Sequence, residues 1–180
     1  MKHALIPASV MHPESPGWST RLRVIPASLP TFWRSWLFDQ GSLTARLSAL
    51  RPGQFSVECL REGYGQPTPT ERQELGLLGS QPVWFREVRL LLAGTPIVYA
   101  RTAVPVHAMT GKLSRLQHLG NRSLGSFLFS QPELERGQIR ASHCKANDHG
   151  LQWARRSVFH IGRGSLLVTE AFSPDLCKFV

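Results

Sequence analysis

The sequence contains no apolar run long enough for a membrane span or for the core of a secretion signal. Cysteine is scarce. Cys59, Cys144 and Cys177 are odd in number and widely spaced, and no CxxC pair occurs, so neither a disulfide framework nor a zinc site is specified. A reducing, cytoplasmic setting is the default for such a chain. His143, Cys144 and His149 form one small cluster without ligand spacing, which reads as a loop, and no metal is expected. GxGxxG, HExxH, GxSxG and Gly-rich phosphate loops are all missing, as are internal repeats. Basic runs are missing too. The formal net charge is +9, yet the only adjacent basic pairs are Lys2-His3 and Arg155-Arg156. Scattered charge of this kind suits attraction of a small anion as well as it suits nucleic acid.

What is present is enough for one globular domain: 180 residues, 42% hydrophobic and 18% charged. Residues 1–28 are rich in proline and read as an irregular lead-in on which Trp18 could dock, with the folded domain at 29–180. The organising stretch is PVWFREVRLLLAGTPIVYARTAVPV at 82–106, two strands around a turn at 93–96. Alternation puts Trp84, Arg86, Val88 and Leu90 on one face, and Phe85, Glu87 and Arg89 on a second face that reads as wet or edge-covered. Arg86 is the sole charge in its row and needs an anion. The strand at 165–173 poses the matching problem, because Glu170 stands in a row with Leu166, Val168 and Phe172. Two readings follow: Arg86 and Glu170 pair with each other in the core, or they line one pocket. An unpaired Glu170 among apolar neighbours would favour its protonated form.

The remaining pattern predicts a helix at 32–39 capped by Thr31, a helix at 43–50 capped by Ser42, and a strand at 54–63. A capping box is expected at Thr70-Glu71-Arg72-Gln73, and helices at 110–119 and 123–130. Single strands are expected at 135–145 and 151–161, with a tight turn at 162–164. The helix pair joined at Gly41 could move as a lid. About six strands joined mainly by hairpins, with four short helices, indicate an α+β domain built on a mainly antiparallel sheet.

Six segments then carry a resemblance: REG at 61–63, VWFREVRLLLAGTPIVYARTAVP at 83–105, LG at 119–120, SLGSFLF at 123–129, WARRS at 153–157 and LLVTEAFSP at 166–174. In this order and spacing they resemble the chorismate pyruvate-lyase family. The resemblance implies a single domain whose short helices form flaps over a buried pocket. It implies removal of pyruvate from chorismate to give 4-hydroxybenzoate, the first step of ubiquinone synthesis, by a monomer without cofactor, nucleic-acid partner or membrane insertion. It assigns substrate binding to Arg86, Leu124, Glu170 and Leu43, and catalysis to Glu170 and Arg86. Leu43 stands where the family carries methionine, and Leu124 is expected to contribute its backbone. Arg101, Arg155 and Arg156 receive a supporting role. The lead-in and the polar 143–150 stretch depart from the family pattern. Two rivals remain: a non-catalytic aromatic-acid sensor of the same fold, disfavoured because no helix-turn-helix precedes the domain, and a basic nucleic-acid-binding module.

Overall fold

A computed structural model describes residues 19–20, 29–144 and 150–180. The expected docking of Trp18, and the whole of 145–149 with His149, lie outside the described residues. The elements are β1 (Ser19–Thr20), α1 (Thr31–Leu37), α2 (Leu43–Leu50), β2 (Phe55–Gly65), α3 (Pro69–Glu74), β3 (Val83–Leu92), β4 (Thr95–Pro105), α4 (Leu124–Phe129), β5 (Leu134–Arg136), β6 (Arg140–His143), β7 (Trp153–Ile161) and β8 (Gly164–Phe172). The described strands form one antiparallel sheet in the order β1-β6-β7-β8-β4-β3-β2, with β5 beside β6 on the same edge of β7. The fold is α+β, as expected. The link from β4 to β8 lets the last strand insert between β4 and β7, which places the Glu170 strand two strands from the Arg86 strand.

The central hairpin turns more tightly than the sequence suggested. Ala93 and Gly94 both adopt positive φ (47° and 76°), a two-residue turn whose twist matches that of the strands, and Thr95 already belongs to β4. Ile97 is the extra residue of a bulge, since Leu90 faces Val98 and Leu91 faces Pro96. Ser42 caps α2 as expected, accepting from the Ala45 N–H. Thr31 is the first helical residue of α1 and does not cap it. The capping box lies two residues earlier than the sequence pattern indicated, on Thr68 and Glu71, with Pro69 at the first helical position. The segment expected as a helix at 110–119 is a 3-10 helix over Leu113–His118. Its inward residues Leu113, Leu116 and Leu119 recur every three, the 3-10 period. A further 3-10 turn over Pro174–Phe179 buries Leu176, so the C-terminal segment docks on the domain.

Of the two readings for the second face of β3, wet or covered, the structure shows the covered one. α3 lies over it and presents Glu71 and Glu74, three residues apart on one helix face. Arg101 of β4 donates to Glu71 (2.7 Å) and to Glu87 (2.8 Å), while Arg61 also donates to Glu87. Glu74 accepts from Arg140 and Arg156 at 2.7 Å each. Burial alone would raise the Glu87 carboxyl, but the hydrogen bonds from Arg61 and Arg101 hold it below its ordinary value of 4.5. The folded value lies below the unfolded one, so this stabilisation is present above pH 4.5 and is lost as pH falls through the folded value. Replacing Arg101 with alanine takes one cation from two buried carboxylates, although Glu87 keeps Arg61 and Glu71 keeps the Thr68 N–H. It should cost about 3–5 kcal/mol, read as a lowered urea midpoint at neutral pH.

Two apolar clusters form on the opposite face. Trp36, Leu37, Leu47, Ile97 and Phe172 centre one under α1 and α2. Trp84, Val104, Leu116, Leu128 and Leu166 centre the other under α4 and the 3-10 segment. The functional cleft lies where the two clusters meet.

Candidate active site

Strand register sets the floor of the cleft. Arg86 lies opposite Thr102, which lies opposite Val168, which lies opposite Ser157. One row along, Val88, Ala100, Glu170 and Arg155 are aligned in the same way. Directly opposite residues share a face, so both rows point toward the flaps. Two strand spacings and two residues of rise separate the Cα atoms of Arg86 and Glu170 by about 12 Å.

Arg86, Glu170, Leu43 and Leu124, the four residues singled out in the sequence, all line this one cleft. Some 550 Å³ of atom-free space, open solvent at the mouth included, lies between its walls. Arg86 and Glu170 do not pair with each other. Glu170 Oε2 accepts from Arg155 Nε at 2.6 Å, and Oε1 takes no hydrogen bond from any described residue. Arg155 therefore supplies the partner that the sequence left out. Arg155 is fully buried, and its Nη1 also donates to the carbonyls of Trp36 (2.8 Å) and Asp39 (3.0 Å) at the α1–α2 corner.

Arg86 is also fully buried. Its Nη2 donates to the carbonyls of Gly120 (2.5 Å) and Arg122 (3.1 Å), and its Nε lies 3.7 Å from Glu62. Burial presses its pKa below the ordinary arginine value, opposed by Cys59 and Glu62. The bulge in β2 between Cys59 and Arg61 sets this environment. Without it, regular pairing would place Arg61 opposite Arg86. With it, Arg61 reaches Glu87 on the far face and Glu62 sits opposite Arg86.

Arg136 is a cleft residue that the sequence reading missed. A single strand over 135–145 would put Arg136 and Arg140 on one face. The structure breaks it at Gly137, whose N–H donates to the Val158 carbonyl at 2.8 Å, and a Cβ there would stand 3.1 Å from that same oxygen. Arg136 pairs with Phe159 and Arg140 with Arg156, so four steps on one side match three on the other. The extra residue flips the face: Arg136 enters the cleft while Arg140 meets Glu74 behind the sheet. Burial and the neighbouring Arg155 push the Arg136 guanidinium down to about 10.

The flaps close the cleft from α2 and α4. Thr44 Oγ1 and Ser123 Oγ share a hydrogen bond of 2.5 Å across the seam. Gly125 lies against Thr44 so closely that a Cβ would come within 2.5 Å of its Oγ1. Gly125→Ala should therefore spread the flaps and shorten the residence time of a bound ligand, about tenfold by stopped-flow displacement. Three guanidiniums and one carboxylate around an apolar slot suit an anionic ring better than a metal cation. Among the described residues no group of three or more His, Cys, Asp and Glu side chains comes together. Burial pushes the Cys144 thiol up to about 12, which makes it a poor thiolate ligand.

Known structures share the architecture. The effector domain of PhnF from Mycobacterium smegmatis superposes with a TM-score of 0.54 at 15% identity, covering 75% of this chain and 90% of that one. A GntR-family transcriptional regulator from Bacillus cereus gives 0.52 at 12% identity, covering 68% and 94%. At such identities the likeness is one of fold. Sequence relatives are much nearer. A probable chorismate pyruvate-lyase of Marinobacter nauticus is 46% identical over 144 residues, 79% of this chain and 77% of that protein. One from Chromohalobacter salexigens is 42% identical over 168 residues, 87% and 90%. The sequence profile described as chorismate lyase matches residues 19–178, nearly the full length and every strand that lines the cleft. With that span matched and relatives this similar, the chain belongs to the chorismate lyase family.

Proposed function

We propose that the chain removes pyruvate from chorismate and releases 4-hydroxybenzoate, acting in the cytoplasm as a monomer at the entry to ubiquinone synthesis, with 29–180 as the catalytic domain. The observation that carries this reading is the separation of Arg86 and Glu170 across one closed apolar slot, each with hydrogen-bonding capacity to spare. Chorismate is a ring dicarboxylate with an enolpyruvyl ether beside a ring hydroxyl. In the reaction the ring C–O bond to the side chain breaks. The hydrogen on the hydroxyl-bearing carbon is lost, the ring becomes aromatic, and the departing enol gains a proton to become pyruvate. Aromatisation supplies the driving force, so positioning and charge management are what the protein must add.

Arg86 clamps the ring carboxylate. Glu170 Oε1 accepts from the ring hydroxyl, drawing electron density onto the carbon that loses hydrogen, while Arg155 fixes the carboxylate through Oε2. Leu43, Leu124, Val88 and Val168 give the ring a dry bed, and the closed flaps exclude water. Leu43 needs only apolar surface for this, so Leu43→Met should stay within about threefold of the parent kcat/KM. The sensor reading predicts binding without turnover. Purified protein with chorismate alone, in the absence of added metal or nucleotide, separates the two. Equimolar pyruvate and 4-hydroxybenzoate support the lyase, and tight 4-hydroxybenzoate binding with no pyruvate supports the sensor.

A further inference from the structure

Two of the three cleft guanidiniums are accounted for by what they touch. Arg155 is spent on Glu170 and on two backbone carbonyls of the α1–α2 corner. Arg86 sits at the other end of the slot on the carbonyls of Gly120 and Arg122, and the lyase reading gives it the ring carboxylate. Arg136 has no such assignment. It stands at the end of β5 with its Cζ 4.9 Å from the Phe159 ring centroid. Its Nε donates to Ser157 Oγ (3.1 Å) and its Nη1 to the Asp39 carbonyl (3.1 Å), with the Gly41 carbonyl at 3.5 Å. Among the described residues no carboxylate oxygen comes within ion-pair distance of it, and its Nη2 donates to none of them. A half-buried, stacked cation beside a second cation is held at a cost that an arriving anion would relieve.

We propose that Arg136 receives the second carboxylate of the substrate, the one on the side chain that departs as pyruvate, while Arg86 holds the ring carboxylate. This rests on the lyase reading and extends it. A monocarboxylate product needs one anchor, whereas a dicarboxylate substrate needs two, and the cleft carries two guanidiniums that are not committed to Glu170. The placement also gives the departing group its own handle. Held at Arg136, the side chain is fixed relative to a ring fixed at Arg86, and cleavage of the ether leaves each arginine with one carboxylate. Arg136 also ties down the α1–α2 corner through Asp39, so the anion and the flap share one guanidinium.

That shared role dictates the test. Two ligands are titrated into the parent and into Arg136→Ala: 4-hydroxybenzoate, and 4-hydroxybenzoate bearing a carboxymethoxy group beside its hydroxyl, a stable dicarboxylate that cannot turn over. The dicarboxylate should weaken by at least about thirtyfold in the variant while 4-hydroxybenzoate stays within about threefold. Arg136→Lys should recover part of the loss, because it restores charge without the fork. In steady state, KM for chorismate should rise in step with the dicarboxylate Kd. Equal weakening of both ligands would mean that Arg136 only anchors the flap, and an unchanged dicarboxylate affinity would overturn the assignment outright. Arg136→Gln, which keeps a donor for Asp39, replaces the alanine variant if that one does not fold. Should the parent fail to turn over chorismate yet show this discrimination, the lyase reading falls and the anion site stands. Turnover without discrimination removes the anion site alone, and a parent that binds neither ligand removes both.

Discussion

Arg86→Ala is expected to raise KM for chorismate and Kd for 4-hydroxybenzoate by roughly a hundredfold or more, about 3 kcal/mol. The guanidinium is fully buried at one end of an apolar slot, where a carboxylate brought to it loses its water and gains a charged donor. Its position does not depend on the ligand, because Nη2 is already held by the carbonyls of Gly120 and Arg122. The ordering cost of a long side chain has thus been met by folding, and the ligand receives a guanidinium already held in place. Removal leaves those two carbonyls without their donor, so a stability loss of about 1–3 kcal/mol accompanies the binding loss. Arg86→Lys keeps the charge and should fall between the parent and the alanine variant, because an ammonium cannot satisfy two carbonyls and a carboxylate in one plane. The bond-breaking step is far from this end of the slot, so kcat at saturation should fall much less than kcat/KM.

Glu170→Gln has the opposite signature. Turnover should drop by roughly two to four orders of magnitude, with Kd for 4-hydroxybenzoate within about tenfold of the parent. The amide still offers an oxygen to the ring hydroxyl, so ground-state binding survives. What is lost is the negative charge next to the carbon that gives up its hydrogen, an interaction that strengthens only as the transition state forms. The substitution also takes the counter-charge from Arg155, which is 1% exposed. Breaking a buried pair from one side costs about 3–5 kcal/mol, partly offset here by the Trp36 and Asp39 carbonyls that Arg155 retains. A lowered thermal midpoint is therefore part of the expected result. Normal turnover in a folded Glu170→Gln protein would remove this residue from the chemistry.

Much of this was legible one strand at a time. Period-two alternation put Arg86 and Glu170 alone in apolar rows, and those rows do face one cleft. The choice between an ion pair and a pocket was not legible, because it depends on which strands become neighbours. β8 inserts between β4 and β7, and this delivers Arg155 to Glu170 across a single strand spacing. Alternation also failed wherever a bulge changes its phase. Arg136 was hidden for that reason, since the one-residue slip near Gly137 reverses its face relative to Arg140. What covers the charged face of β3 was not legible for a different reason. Charges of both signs suit a solvated face and a covered one alike in a linear sequence, and only α3 folding back with Glu71 and Glu74 makes a buried network of them. The threefold leucine spacing at Leu113, Leu116 and Leu119 carries a 3-10 signal, but over so short a segment it also fits the commoner helix.

The central claim is that Arg86 and Glu170 hold opposite ends of one aromatic acid. Calorimetric titration of 4-hydroxybenzoate and of benzoate into the parent, Arg86→Ala and Glu170→Ala tests it most directly. Both ligands carry the carboxylate, and only the first carries the hydroxyl. Arg86→Ala should weaken both by a similar factor, roughly a hundredfold. Glu170→Ala should weaken 4-hydroxybenzoate by about tenfold or more and leave benzoate unchanged or slightly tighter, since a nearby negative charge has been removed. Equal losses for both ligands at Glu170, or undiminished binding of both at Arg86, would contradict the account.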